Sequence, residues 1–252
     1  MPADLRYLRR QVGKAIGDYC MIEEGDHILV ALSGGKDSIA LLYILCLLRK
    51  AAPIKFNLSA ATVDLGWGNN GFSEIGFFCD KLEVPYHIYR ANLGDLLFEK
   101  QEGKNPCALC SHLRRGILCR LCKNSGCNKL ALAHHADDAV ETLFLNLFFN
   151  GQIGSFLPVT YLERQEITVV RPLIYARERE ISQAVSALRL PIVNTACPAA
   201  NQTRRQVKQF LAYLETHIPG VFPNLLHALH SSETVKLWPP KTERKDKKVK
   251  DG

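Results

Sequence analysis

An apolar run that breaks at a pair of glycines constrains the fold of this 252-residue chain more than any other feature. Residues 27–32 read HILVAL, which predicts a short buried strand. SGGKDS follows at residues 33–38, and apolar residues then resume with helical spacing. A strand that turns through glycines into a helix is typical of an open α/β sheet, in which ligands bind at the carboxyl ends of the strands.

The same order of strand and helix recurs along the chain. FNLSAATVDL, PYHIYRA, KLALAHH and ITVVRPLIY read as further strands, and helical segments separate them. One of these segments, DDAVETLFLNLFFN at residues 137–150, has a strongly amphipathic pattern. The alternation predicts a Rossmann-like parallel sheet with helices on both faces, followed by a small helical portion beyond Tyr175.

The SGGKDS loop (residues 33–38) has the chemistry of a phosphate site. No side chain obstructs the amides of Gly34 and Gly35, the helix amino terminus attracts anions, and Lys36 adds a positive charge. It is not a Walker loop, because Asp37 follows the lysine where that pattern has serine or threonine. The alternative is a plain glycine turn in which Ser38 caps the helix, and that alternative gives Lys36 and Asp37 no role.

Polar residues at the ends of two other strands are predicted to share this edge of the sheet. His134 belongs to KLALAHH, Asp137 and Asp138 follow it, and Asp64 lies near the end of FNLSAATVDL. The carboxyl ends of parallel strands meet at one edge, so we expect these side chains near the SGGKDS loop. The two adjacent aspartates also fit a simpler role, in which they offset the dipole of the following helix.

The cysteines cluster in one part of the sequence. Nine cysteines in a chain of this length are typical of a reducing compartment, which predicts a cytoplasmic protein. Cys107 and Cys110 form CALC just before a helix, where thiolates are favoured. Cys119 and Cys122 would complete a four-thiolate zinc site with them, but both lie within one regular helical segment. The alternative for these two and for Cys127 is burial as small hydrophobic residues.

Charge and hydropathy narrow the function classes. The longest apolar stretches are too short to cross a bilayer, so no membrane segment is predicted. The formal net charge is +7, and basic clusters occur at LRYLRR, HLRRGILCR and QTRRQVK. Each cluster is either a solvated face or a contact to RNA, and several clusters on one surface would indicate nucleic-acid binding.

SGGKDS resembles the pyrophosphate loop (PP-loop) of the ATP pyrophosphatases, which cleave ATP to AMP and pyrophosphate while adenylating the acceptor. The resemblance continues through CALCSHLRRGIL, LAHHADDAVETLFLN, RPLIYAREREI and RRQV, and so covers most of the chain. Together these motifs resemble the tRNA 2-thiocytidine synthetases. That family uses ATP, magnesium and an iron–sulfur cluster to replace the C2 oxygen of an anticodon-loop cytidine by sulfur.

The resemblance implies a nucleotide site and a set of reacting groups. The nucleotide-binding residues would be Ser33, Gly34, Gly35, Lys36, Asp37, Ser38, Asp64 and His134. The groups that act in the reaction would be Lys36, Asp37, Asp138 and Arg115. Lys36 and magnesium would neutralise the departing pyrophosphate. Arg114 or Arg115 would steady the adenylated base, contact the RNA backbone or simply face solvent.

The resemblance also implies a [4Fe-4S] cluster held by Cys107, Cys110 and Cys197. Three thiolates would leave one iron open, and that iron would bind the sulfide that is delivered to the activated carbon. The family commonly has a further cysteine where this chain has Asn194. The implied partners are tRNA and a sulfur donor such as a cysteine desulfurase. The sequence leaves the oligomeric state open, with a homodimer as one option.

We predict four regions along the chain. Residues 1–20 form an N-terminal basic helix, and residues 21–176 form a PP-loop ATP-binding α/β domain. Residues 177–238 form a C-terminal helical region that carries Cys197, and residues 239–252 form a disordered basic tail.

Two other function classes use the same loop. They are enzymes that attach lysine to tRNA or amidate small molecules, and ATP-binding modules without turnover. Neither class needs CALC together with Cys197.

Overall fold

The structure, a computed structural model, describes residues 3–66, 71–91, 106–193 and 202–230. The helices are α1 (Ala3–Asp18), α2 (Lys36–Ala51), α3 (Phe72–Lys81), α4 (Pro106–Asn124), α5 (Ala136–Leu145), α6 (Glu178–Leu188), α7 (Gln202–His217) and α8 (Val221–His230). The strands are β1 (His27–Ala31), β2 (Asn57–Asp64), β3 (Tyr86–Arg90), β4 (Lys129–Ala131), β5 (Val159–Leu162) and β6 (Ile167–Val170).

The strands of the described part of the chain form one sheet in the order β3-β2-β1-β4-β6-β5. β1 is central and pairs in parallel with β2 and β4, so that Val30 lies opposite both Ala60 and Ala131. β6 runs parallel to β4, and β5 pairs antiparallel with β6 at the edge. The predicted α/β fold is confirmed, and the carboxyl ends of β2, β1, β4 and β6 lie along one edge of the sheet.

Helices cover both faces of the sheet, as the near-continuous apolar strands predict. On one face, α2 buries Ile39, Leu42 and Leu45 in a core that α1 and α6 also join. On the other face, α4 packs across β2, β1, β4 and β6, and its Cys119 and Cys122 lie in the core of that face. The sheet is therefore interior, and its polar edge is where a ligand can reach it.

The C-terminal helices pack against the helix that starts at this edge. Val207 and Leu211 of α7 and Phe222 of α8 form an apolar cluster with Ala136 and Val140 of α5. This packing brings polar side chains of α7 to the amino terminus of α5. The division into four regions stays a prediction, and the tail at 239–252 lies outside the described residues.

Two details differ from the sequence prediction. The patterns above do not predict β5, because its side chains are at best half-buried and an edge strand of this kind has a weak period-two signal. The helix expected over 137–150 is α-helical only to Leu145 and continues as one π-helical turn, Asn146–Asn150. Gly151 ends that turn in the left-handed conformation. Among the described helices, none has both the length and the apolar character that crossing a membrane would require.

Candidate active site

The SGGKDS loop joins β1 to α2 at the carboxyl edge of the sheet, and its two serines brace it from within. The Ser38 hydroxyl donates to the Gly35 carbonyl (2.9 Å) and accepts from the Ser33 amide (3.2 Å). The Gly35 amide donates to the Ser33 hydroxyl (3.3 Å). Gly35 is the N-cap of α2, and no side chain caps that helix end. Ser38 therefore stabilises the loop itself. The plain-turn alternative requires Ser38 to cap the helix, and Ser38 does not do so.

Gly34 makes the sharpest bend of the loop. Its φ of +85° lies in the region that side-chain-bearing residues rarely adopt, and a Cβ there would lie 3.0 Å from the carbonyl oxygen of Val193. The Val193 amide donates to the Gly34 carbonyl (2.9 Å). Glycine is thus required at this position both by backbone conformation and by the close approach of a second chain segment.

Lys36 lies between two carboxylates from different elements. Its Nζ is 3.0 Å from Oδ1 of Asp37 and 3.0 Å from Oε1 of Glu178, the first residue of α6. The other oxygen of Glu178 accepts a hydrogen bond from Lys208 of α7. Burial alone would lower the pKa of Lys36, but its hydrogen bonds to both carboxylates raise it. Burial alone would raise the pKa of Glu178, but Lys208 and Lys36 lower it to about 2.

His135 caps α5 and contacts aspartates from two elements. Its Nδ1 accepts from the Asp138 amide (3.4 Å), and the Asp138 carboxylate accepts from the His135 amide (3.2 Å), which makes a capping box. Its Nε2 lies 3.5 Å from Oδ2 of Asp138 and 4.0 Å from Oδ1 of Asp37. Its Nδ1 also lies 3.6 Å from Oδ2 of Asp137. Three carboxylates, one from the SGGKDS loop and two from α5, therefore lie around the same buried imidazole.

The adjacent aspartates of α5 have different partners. Asp137 accepts from the Glu178 amide (2.7 Å) and from Nε of Arg177 (3.1 Å), which links α5 to the start of α6. Asp138 instead accepts from Arg204 of α7 (3.0 Å). Asp137 thus joins α5 to α6 and Asp138 joins α5 to α7, and both carboxylates also approach the ring of His135.

His134 makes a separate set of contacts. Its ring packs on Phe156 with the centroids 4.9 Å apart, and its buried Nδ1 has no hydrogen-bond partner among the described residues. Burial lowers the pKa of His134 to about 4, so the ring is neutral at physiological pH. The guanidinium carbon of Arg171 lies 5.1 Å from the centroid of the same Phe156 ring.

Asp64 is the last residue of β2, on the strand beside β1. Its Oδ1 accepts from the Gly66 amide (2.9 Å), and its side chain is partly buried. Asp64 therefore lies at the predicted edge of the sheet, on the side of the SGGKDS loop opposite to His134.

The cysteines of CALC lie in the first turns of α4. Cys110 is partly buried and packs against the core of that face of the sheet. The side chain of Cys107 and the whole of Cys197 lie outside the described residues. Arg115 is exposed on the same helix, and burial together with the charge of Arg115 lowers the pKa of Arg171 to about 10.

The other cysteines of this region belong to the core. Cys119, Cys122 and Cys127 are 2%, 0% and 6% exposed. The Cys122 thiol lies 3.4 Å from the Lys129 carbonyl, to which it donates. Burial raises the pKa of Cys119, and hydrogen bonding to Cys127 together with burial raises that of Cys122. Buried, protonated thiols are inert, which supports the role of small hydrophobic residues over that of zinc ligands for Cys119 and Cys122. Hydrogen bonding to Cys122 lowers the pKa of Cys127, and for this residue burial alone supports the same role.

Comparison with known proteins agrees with this geometry. A family model described as a PP-loop domain matches residues 6–211. A tRNA-cytidine(32) 2-sulfurtransferase from Idiomarina loihiensis is 44% identical over 229 residues, which cover 89% of this chain and 76% of the relative. The enzyme of the same name from Geobacter sulfurreducens is 41% identical over 232 residues, covering 90% of each chain. The chain belongs to the tRNA-cytidine(32) 2-sulfurtransferase family.

Solved structures share the fold of this 2-sulfurtransferase family member. The U34-tRNA thiolase NcsA from Methanococcus maripaludis, solved with its [4Fe-4S] cluster, has a TM-score of 0.75 and 24% identity, covering 92% of this chain and 80% of that one. The NH3-dependent NAD synthetase from Campylobacter jejuni has a TM-score of 0.50 and 15% identity, covering 90% and 92%. These two likenesses concern the fold.

In this member of the 2-sulfurtransferase family, the structure brings together only part of the predicted site. Lys36, Asp37 and Asp138 lie in one connected set of contacts. The sequence reasoning missed further members of that set, namely His135, Glu178, Arg204 and Lys208. His135 and Glu178 lie within AHHADD and AREREI, and Arg204 within RRQV, so the motifs marked the segments without marking the residues.

Proposed function

We propose that this chain is an ATP-dependent tRNA sulfurtransferase that adenylates the C2 oxygen of cytidine 32 and replaces that oxygen with sulfur. The observation that carries the proposal is the edge of the sheet where the SGGKDS loop meets Asp138 around His135. A glycine-rich phosphate loop beside two carboxylates suits the activation of ATP with a divalent metal. The relatives at 44% and 41% identity indicate the acceptor.

Lys36 is the cation proposed to hold the departing pyrophosphate. Its raised pKa keeps it charged, and Asp37 and Glu178 hold its ammonium group beside the loop. The phosphates of ATP would compete with these carboxylates for Lys36. A preorganised donor at developing charge contributes about 3 kcal/mol to transition-state stabilisation.

Asp37 and Asp138 are the proposed protein ligands of magnesium. Magnesium sites that handle nucleotides use one or two carboxylates together with substrate phosphates. Both carboxylates face Nε2 of His135, and the capping box with His135 and the contact with Arg204 fix the orientation of Asp138. Asp64, on the neighbouring strand β2, is proposed to contact the ribose or the metal.

The proposed reaction has two displacement steps. The C2 oxygen of the cytidine attacks the α-phosphorus of ATP, and pyrophosphate leaves. Sulfide then attacks C2, and the oxygen departs with AMP, so that neither step requires an oxidant or a reductant. Arg115, exposed on α4 beyond CALC, is proposed to steady the adenylated base.

Cys107, Cys110 and Cys197 are the proposed ligands of a [4Fe-4S] cluster. Cys110 fits this role, because it lies partly exposed in the first turns of α4, with two arginines in the next turn. When bound, a cluster with three thiolate ligands offers sulfide one iron that lacks a protein ligand.

We also propose a cytoplasmic location, where tRNA and a sulfur donor such as a cysteine desulfurase are present. A homodimer is proposed from an exposed aromatic surface formed by Phe148 and Phe149 of the π-helical turn and Phe210 of α7, which are 53%, 59% and 40% exposed. An apolar surface of this kind on a single chain marks an interaction site.

The function is tested by mass spectrometry of tRNA nucleosides from cells that lack the gene. We expect 2-thiocytidine to disappear, and to return with the wild-type gene but not with Lys36→Ala. Lys50→Ala is the matched control, because Lys50 lies exposed at the other end of α2 and should restore the nucleoside. Unchanged 2-thiocytidine in the deletion strain would contradict the proposal, and the loss of a different thionucleoside would assign another target base.

A further inference from the structure

Arg171 is a buried cation that no part of the proposed mechanism uses. It follows β6 directly, so it lies at the same carboxyl edge of the sheet as the SGGKDS loop, with β4 between them. Arg171 is only 6% exposed. A buried guanidinium normally has a carboxylate partner, because an unpaired buried charge is costly.

The contacts of Arg171 leave its charge uncompensated within the described residues. One terminal nitrogen donates to the Leu157 carbonyl (2.6 Å) and to the Thr160 hydroxyl (3.3 Å), which are neutral acceptors. Nε is buried without a partner. The charge of Arg115 on α4 adds to that of Arg171, and burial with this repulsion lowers the pKa of Arg171 to about 10, so the group stays protonated.

Aromatic side chains lie beside Arg171. The ring of Phe156 contacts both the guanidinium of Arg171 and the neutral ring of His134. An apolar wall reduces the local dielectric and strengthens a charge-assisted hydrogen bond. The His134 Nδ1 atom is also buried without a partner, so this corner of the site contains two polar atoms, Nε of Arg171 and Nδ1 of His134, that make no hydrogen bond in the described part of the chain.

We propose that Arg171 forms a second phosphate-binding subsite, separate from the SGGKDS loop, with Arg115 adding to its positive potential and Phe156 and His134 forming its wall. The guanidinium fork suits the bidentate binding of a phosphate. The subsite deepens the proposed function and rests on it for the identity of the ligand. The phosphate belongs either to the tRNA backbone beside the target cytidine or to the α-phosphate of the adenylate.

The test compares two ligands on anaerobically prepared holoenzyme. The affinity for tRNA is measured over a range of salt concentrations, and the affinity for AMP is measured by calorimetry. Arg171→Gln removes the charge, and Arg171→Lys keeps the charge without the fork. Thr160→Val is the structural control, because it removes an acceptor of Arg171 and leaves the guanidinium in place. Thermal unfolding identifies any variant that does not fold, and Arg171→Lys then carries the test.

If the phosphate belongs to RNA, Arg171→Gln weakens tRNA binding about tenfold or more and reduces the salt slope by about 0.7–0.9, the value for one lost phosphate contact. If it belongs to the adenylate, the affinity for AMP falls and the salt slope stays. Thr160→Val is expected to resemble wild type in both arms. The proposal is overturned if folded Arg171 variants bind both ligands like wild type, or if Thr160→Val reproduces the whole defect. A wild-type protein that does not bind tRNA would contradict the proposed function, and the AMP arm would still decide the subsite.

Discussion

Replacement of Gly34 by alanine is expected to destabilise the protein and disable ATP use together. The φ of Gly34 is +85°, and a left-handed backbone costs a residue with a Cβ about 1–2 kcal/mol. The new methyl group would also lie 3.0 Å from the Val193 carbonyl oxygen and 3.2 Å from the Val193 Cβ. Overpacking of this kind typically costs about 1–3 kcal/mol, so we expect a total loss of about 2–5 kcal/mol.

Gly35→Ala is the matched control for this substitution. Gly35 has a φ of −71°, which alanine adopts without strain, and its added Cβ would meet only the Ser33 hydroxyl, at 3.4 Å. A change from glycine to alanine at a compatible position reduces the entropy of the unfolded chain. We therefore expect the stability of Gly35→Ala to lie within about 1 kcal/mol of wild type.

Urea titration of both variants measures the predicted difference. Gly34→Ala should unfold at a lower urea concentration with an unchanged m-value, because the same surface is exposed on unfolding. The rate of ATP-dependent pyrophosphate release by Gly34→Ala should also fall, because the bend that orients the loop amides is lost. Equal midpoints for Gly34→Ala and Gly35→Ala would refute the argument that the bend and the approach of Val193 require glycine.

Three further predictions follow from the site. In anaerobic protein, Cys110→Ala should lose iron and the brown colour, whereas Cys119→Ala should keep both and cost about 1 kcal/mol of stability; iron analysis and urea titration check this. Asp138→Asn should abolish magnesium-dependent ATP turnover in a pyrophosphate assay, and Asp137→Asn should instead cost about 1–2 kcal/mol of stability with turnover largely kept. The folded-state pKa of His134 is about 4, below the unfolded value of 6.5. The contribution of His134 to stability is therefore present above pH 6.5 and is lost as the pH falls toward 4. Thermal unfolding should show that the stability of His134→Asn declines less than that of wild type between pH 6.5 and pH 4.

The sequence was sufficient to predict an α/β fold with a parallel sheet and the place of the phosphate loop at the end of one strand. Both depend on local signals, namely continuous apolar runs and glycines at a strand end. The edge strand β5 lacks such a signal, because its side chains gain little burial. The π-helical turn was equally hidden, since Asn146–Asn150 continues the apolar pattern of α5.

The partners of each charged residue were beyond the reach of sequence reasoning. His134 and His135 are adjacent and chemically identical, yet His135 faces Asp37, Asp137 and Asp138, whereas His134 packs on Phe156. Asp137 and Asp138 also differ in their cationic partners, which are Arg177 and Arg204. The cap of α5 sets this division, because the residue at the N-cap and the third residue of the helix face each other.

The C-terminal helices are part of the candidate site and do more than cover it. Arg204 of α7 pairs with Asp138, and Lys208 of the same helix pairs with Glu178, which in turn contacts Lys36. Without α7, Asp138 and Glu178 would each lose a cation, and the uncompensated negative charge would oppose the binding of an anionic nucleotide. The packing of Val207 and Leu211 on α5 holds Arg204 and Lys208 in place. The apolar face of α7 therefore positions the two cations that pair with Asp138 and Glu178. Changing Val207 to a polar residue should therefore weaken ATP binding at a distance from the phosphate loop.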